Sequence, residues 1–301
     1  MSVIAVEVAL NKEYLNAMYH KIILLCGVIM LALTGATQSN PLDQAREAYA
    51  EKDYSRALSA ADLQIQQQAT PEAYMLRADC LHKLEDYNHA LDDYDKARQQ
   101  GYLGDDLYLN RGICKISIEL YDGARADLMS YLQKNENDPK GYYWLAVIEY
   151  MNAENKACQR YIDEAIFLDS TYAEAYYLRG ANYVDTKKNN LAYEDFSIAY
   201  QLKPDLHRAK LNMATLLIDM GRFKYAIEVL TELKLEDPTI IKETLYYRGE
   251  AMYNMHDMEG ACGDWVEAAE MGDEDSEDMY KRLCIDKNDK PRFKRSSYFQ
   301  F

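Results

Sequence analysis

AYYLRGANYVDTKKNNLAYEDFSIAYQLKP, residues Ala175–Pro204, decides the fold. Gly180 and Ala192 stand twelve residues apart in it, and the stretch closes on proline. The same two small slots recur on either side. The first runs Ala45, Ala78, Gly112, Ala146, Gly180, Ala214 and Gly249, in steps of 33, 34, 34, 34, 34 and 35 residues. The second runs Ala57, Ala90, Ala124, Cys158, Ala192, Ala226 and Ala261, in the same steps. Two seven-membered ladders with one shared period mark an internal repeat.

Each unit reads as two antiparallel helices joined by a short turn. The first small residue lets the first helix approach its own second helix. The second lets the next element pack without a gap. A large side chain in either slot is expected to cost about 1–3 kcal/mol. Other slots keep the same step. The turns hold KDY (Lys52–Tyr54), EDY (Glu85–Tyr87), ELY (Glu119–Tyr121) and GRF (Gly221–Phe223). Four residues after the second ladder come Tyr94, Leu128, Ile162, Phe196, Leu230 and Trp265. Pro139, Pro204 and Pro238 are read as repeat ends, where proline cannot continue the second helix.

These residues resemble the tetratricopeptide repeat. The resemblance implies an all-α chain, an α-solenoid (right-handed superhelix) of seven helix–turn–helix repeats over 38–275. The units fall at about 38–70, 71–104, 105–138, 139–172, 173–206, 207–241 and 242–275. Repeat one starts late, with Asn40 as cap and Pro41 in the first turn. Cys158 departs from the usual alanine, and Lys210 stands where an aromatic is usual. Residues 276–286 are expected to form a capping helix, with Met279 and Leu283 over the last apolar face and charges outward. The ending GACGDWVEAAEMGDEDSEDMYKRLC (Gly260–Cys284) is similar to that of exported repeat proteins from Bacteroidetes-type bacteria.

The net charge of −16 repels a phosphate backbone and excludes nucleic-acid binding as the main role. Gly (13) and Pro (6) are scarce, which favours long helices. Residues 22–33, IILLCGVIMLAL, are too short to span a bilayer, which takes about 20 residues. With Lys21 before and Thr34-Gly35-Ala36 after, they read as a signal peptide, 1–36, cleaved after Ala36. Glu7 and Glu13 fit a leader poorly, so Met18 is the expected start. Leu25 before Cys26 argues against lipidation. A retained anchor is the alternative; otherwise the mature chain has no membrane span. The expectation is an exported protein of the periplasm or cell envelope.

Tyr is present in 27 copies. The family's first helices line the concave wall through the fifth, ninth, twelfth and thirteenth positions of each repeat. The fifth places Tyr143, Tyr177 and Tyr246 there, and the twelfth Tyr49, Tyr150 and Tyr253. The ninth and thirteenth add Asp79, Asp185, Asp219 and Glu250. Tyrosine offers a large contact area, a hydroxyl and little entropy to lose, and the acids suit basic or apolar segments. The expected ligand is therefore a protein or peptide. A glycan is the rival, although Trp144 and Trp265 sit in packing slots. The clamp by which chaperone-binding relatives hold a carboxylate is missing, because its places hold Met75, Asp79, Ile113, Val147 and Tyr143. An Hsp70- or Hsp90-type partner is not supported. Tyr74, Tyr108, Tyr142, Tyr176, Tyr54, Tyr87, Tyr121 and Tyr94 read as scaffold.

The tail, 287–301, has no helical period and reads as a flexible end. Its segment PRFKRSSYFQF (Pro291–Phe301) is basic and aromatic, opposite in sign to the groove, and could lie in its own groove or a neighbour's. Cys80, Cys114 and Cys158 read as buried small residues. Cys262 and Cys284 lie on elements that should touch, and a disulfide between them suits an exported chain. No CxxC, HExxH, nucleophile elbow or phosphate loop occurs. GDEDSED (Gly272–Asp278) lacks calcium-loop spacing. No metal, no cofactor and no catalytic residue is expected, and the chain is read as a binding scaffold, not an enzyme.

Overall fold

The computed structural model of the protein describes residues 40–285. The leader with Met18, Cys26 and Ala36, and the basic tail, lie outside the described residues. Among the described residues there are fifteen α-helices and no strand. They form two compact units that divide after Leu103. The first unit holds α1 (Pro41–Ala50), α2 (Tyr54–Gln67), α3 (Pro71–Lys83) and α4 (Tyr87–Gln99). The second holds α5 (Asp106–Ser117), α6 (Tyr121–Leu132), α7 (Pro139–Met151), α8 (Asn155–Leu168), α9 (Ala173–Asp185) and α10 (Asn189–Leu202). It continues through α11 (His207–Asp219), α12 (Phe223–Glu236), α13 (Ile241–Asn254), α14 (Met258–Glu270) and α15 (Glu274–Tyr280). In each unit consecutive helices pair, and each pair packs on the next, as in an all-α solenoid.

The local chemistry accounts for the helix ends. Asn40, Thr70 and Asp138 accept from the backbone N–H of Leu42, Ala73 and Lys140, and Pro41, Pro71 and Pro139 follow them as first helical residues. Pro139 thus opens α7 rather than ending a second helix, because its missing N–H is one that a helix start leaves unpaired anyway. Within every repeat the turn is a Schellman motif. Its residue of positive φ is Lys52, Glu85, Glu119, Ala153, Lys187, Gly221 or His256, at φ between 58° and 71°. The residue after it donates back to the first helix, as in Asp53 N–H to Ala48 O, 2.9 Å, and Lys188 N–H to Tyr183 O, 2.8 Å. Only one of the seven is glycine.

The ladders meet as expected. A Cβ on Gly180 would come 2.8 Å from the Phe196 ring, one on Gly249 2.6 Å from Trp265 Nε1, and one on Gly112 3.2 Å from Leu128. Ala57, Ala90, Ala124, Cys158, Ala192, Ala226 and Ala261 are all fully buried, as are Cys80 and Cys114.

Four repeats carry an element that the period does not announce. Arg77, Arg111, Arg179 and Arg248 on first helices fork onto Asp93, Asp127, Asp195 and Asp264 on second helices. Each pair is bidentate, with Nε–Oδ2 distances of 2.5, 2.9, 2.7 and 2.7 Å. The four carboxylates are between 2 % and 7 % exposed. Three of the guanidinium groups also lie over the ring of the tyrosine one turn before, Tyr74, Tyr108 and Tyr176, at 5.6, 5.7 and 5.3 Å. Repeats four and six place Leu145 with Tyr161, and Met213 with Val229, at the equivalent positions.

One expected boundary moves, while Pro238–Ile240 form a 3-10 turn ahead of α13, which starts at Ile241. The cap starts at Glu274, two residues before 276, because the Asp273 side chain accepts from Ser276 N–H and caps α15 there. It ends in a π turn, Lys281–Ile285, rather than running on as one α-helix. That turn carries Cys284 to Cys262 on α14; the structure joins the two as a disulfide, Cα–Cα 5.9 Å. Met279 and Leu283 are half-buried on the cap.

Candidate functional site

In the second unit the first helices of successive repeats touch one another, α5 to α7, α7 to α9 and α11 to α13. Their common face carries most of the expected residues. On α7, the Tyr143 ring lies 5.1 Å from Trp144 and 5.0 Å from Tyr172. The Tyr150 hydroxyl hydrogen-bonds Asp185 of α9, so two residues 35 apart in sequence meet across successive repeats. Tyr177 of α9 is 5.4 Å from Phe196 and accepts a 3.2 Å hydrogen bond from Asn212 Nδ2 of α11. On α13, Tyr246 packs edge-on against Tyr247 at 5.2 Å, and Tyr253 lies 5.9 Å from Trp265. Glu250 lies between these tyrosines and feels the charge of Asp219 on α11.

Each of these tyrosines is half-buried, and Asp185 is exposed. Tyr143, Tyr150 and Tyr177 pack against the core and stay partly exposed. The geometry therefore divides their area between packing and display. Burial pushes the hydroxyls of Tyr143, Tyr150, Tyr177 and Tyr246 above the usual phenol range, so they stay protonated donors. Burial, and then Asp219, pushes the Glu250 carboxyl up. The face combines donor hydroxyls, aromatic edges and negative charge.

The first unit presents its own short face. Tyr49 packs edge-on against Tyr54 at 5.4 Å. Asp79 accepts from the buried Tyr94 hydroxyl at 2.7 Å, which commits one carboxylate oxygen to the scaffold. Burial lowers His82 to about 4, with Lys83 adding to the effect, so it is neutral at pH 7. A polar hollow of about 230 Å³ lies elsewhere on this unit, lined by Asp62, Arg77, Asp86, His89, Asp92, Asp93 and Lys96 among others. None of the expected residues lines it, and the Arg77–Asp93 pair forms its wall.

Some participants escape sequence reading. Asn212 and Tyr172 fall outside the groove positions of the period, and only the neighbouring helix brings them to Tyr177 and Tyr143. Lys210, noted as a departure, is 6 % exposed and is held by Glu236 at 2.8 Å and Glu232 at 3.1 Å, with the Tyr200 hydroxyl at 3.4 Å. Burial pulls this lysine down, but the hydrogen bonds to Glu236 and Glu232 outweigh it and raise it above its ordinary value. Trp265 is fully buried and donates to Tyr246 O at 3.2 Å, so it belongs to the packing. Among the described residues no His, Cys, Asp and Glu cluster could hold a metal ion, and no helix is long and apolar enough to cross a membrane.

No family model matches the chain. Among curated proteins, a stretch of 142 residues is 25 % identical to tetratricopeptide repeat protein 16 of Macaca fascicularis, and covers 43 % of this chain. It spans 16 % of that relative's length. Solved structures are alike over more of the chain. The C-terminal part of a TPR repeat-containing protein from Cytophaga hutchinsonii superposes with a TM-score of 0.60 at 17 % identity, over 79 % of this chain and 98 % of that one. A tetratricopeptide repeat protein from Parabacteroides merdae does so with a TM-score of 0.60 at 15 % identity, over 82 % and 98 %. The fold shared with these proteins is the tetratricopeptide-repeat array.

Proposed function

We propose that this tetratricopeptide-repeat array is a non-enzymatic scaffold that holds a peptide or protein segment on the first-helix face of its second unit, and that it works in the periplasm or cell envelope. The observation that carries the reading is the row of half-buried tyrosines, Tyr143, Tyr150, Tyr177 and Tyr246, each with its hydroxyl protonated and with Asp185 and Glu250 between them. Rings already held by packing lose little freedom when a ligand arrives. The acids select basic segments and speed their encounter. The envelope location rests on the leader pattern and on the Cys262–Cys284 disulfide, which persists in an oxidising compartment.

The test compares wild type with Tyr143→Ala/Tyr177→Ala/Tyr246→Ala in affinity capture from an envelope extract, after circular dichroism has shown equal helicity. The triple variant should lose the binders that wild type retains. Equal recovery of every binder would move the interface off this face. Titration with envelope polysaccharides separates the glycan alternative, which burial of Trp265 disfavours.

A further inference from the structure

The sequence carries one segment whose chemistry mirrors the face. Pro291–Phe301 places Arg292, Lys294 and Arg295 among Phe293, Tyr298, Phe299 and Phe301. The face offers Asp185 and Glu250 among tyrosines. It is continuous by named contacts: Tyr150 to Asp185 joins α7 to α9, and Asn212 to Tyr177 joins α9 to α11. Its near end borders the cap, for Tyr246 on α13 feels the charges of Asp275 and Asp273 at the start of α15. The disulfide fastens the cap to α14, so the chain leaves Ile285 one residue after a bond to the last repeat.

Reach permits the match. Sixteen residues, 286–301, follow Ile285. Extended, they span about 50 Å. First helices at about 10 Å spacing put α7 some 30 Å from α13. We propose that the basic aromatic segment Pro291–Phe301 occupies the tyrosine- and acid-lined face of its own second unit, and that an incoming partner must displace it. The proposal rests on the peptide-binding reading above. A tethered occupant acts as a competitor at high effective concentration, so it weakens any partner that shares its chemistry.

The probe is a fluorescein-labelled peptide with the sequence Pro291–Phe301, titrated into the full chain and into Arg292→Glu/Lys294→Glu/Arg295→Glu. The variant should bind the probe about tenfold or more tightly than wild type, because its own segment no longer competes. The gap should shrink in about 0.5 M salt. Adding Asp185→Asn/Glu250→Gln to the variant should weaken the probe again, without loss of helicity. Equal, measurable affinity of wild type and variant overturns the proposal and leaves the peptide-binding reading standing. No binding by either overturns the proposal and counts against that reading too. Indifference to Asp185→Asn/Glu250→Gln places the peptide elsewhere and overturns it. A dimer of the wild type, in sedimentation velocity, that the tail variant abolishes puts the segment on a second copy and overturns the assignment to its own chain.

Discussion

Replacing Arg179 with leucine should be among the most destabilising single changes in the second unit, and replacing Asp195 along with it should undo most of the damage. Arg179 makes hydrogen bonds of 2.7 and 2.9 Å to the two oxygens of Asp195, whose side chain is 5 % exposed. Hydrogen bonds to Asp195 raise the Arg179 guanidinium above its ordinary value in spite of burial. Burial pushes the Asp195 carboxyl up, and Arg179 pulls it only part of the way back. Arg179→Leu removes that pull and leaves a buried carboxylate without its fork. Such a loss costs about 3–5 kcal/mol. At roughly 2–4 °C per kcal/mol for a unit of this size, the melting midpoint should fall by about 6–20 °C. The opposite single change is milder. In Asp195→Tyr, Arg179 keeps Asp163 at 3.0 Å, the Tyr176 ring at 5.3 Å and 19 % exposure, so the loss should be about 1–2 kcal/mol. The double variant recreates the Leu145 and Tyr161 pair of repeat four and should come within about 1 kcal/mol of wild type. The variant Arg179→Leu also has a pH signature. With Asp195 raised above its unfolded value, the unfolded chain binds fewer protons, so stability falls as pH rises through the window above about 3.9. Its deficit should therefore narrow between pH 7 and pH 5. Urea melts of the four proteins at both pH values test this. A deficit below about 1 kcal/mol for Arg179→Leu, or a double variant as unstable as the two singles summed, would refute the reasoning.

Three further outcomes follow from the packing. Gly180→Ala should cost about 1–3 kcal/mol, because its Cβ would meet Phe196 at 2.8 Å, and Phe196→Leu in the same chain should recover part of it; thermal melts decide. His82, lowered to about 4 by burial, binds a proton more readily in the unfolded chain, so the first unit should lose stability as pH falls from about 6.5 to 4, by roughly 1–2 kcal/mol after discount for partial exposure. His82→Gln should flatten that slope in hydrogen exchange of α3, and an unchanged slope removes His82 as its source. Cys262→Ser/Cys284→Ser should release the cap at a cost of about 3 kcal/mol for a closed loop of 22 residues, seen as faster hydrogen exchange in α15. Two free thiols in non-reducing mass analysis would show that the bond does not form.

Much of the fold was legible because close approach is a local steric demand. Gly180 must be small wherever Phe196 lies against it, and that requirement returns with each repeat. Pro41 after the Asn40 cap marked a helix start for an equally local reason. The cap was less legible, since the Asp273 cap and the π turn that brings Cys284 to Cys262 follow no repeat. The candidate face was legible as a set of positions. How far each tyrosine is covered was not, because coverage depends on the following helix as well as its own.

From the order of residues alone came the repeated helix pairs, their period, the sites of close backbone approach and the sign of the charge, all properties of single positions recurring at a fixed step. The folded chain decided the partnerships. Arg179 and Asp195 each read as one charge among many until antiparallel helices set them face to face, sixteen residues apart. Tyr150 found Asp185, Tyr177 found Asn212 and Lys210 found Glu236 in the same way. A period records which side chain a slot tolerates, whereas a hydrogen bond or an ion pair depends on distance between two slots, and only packing sets that distance.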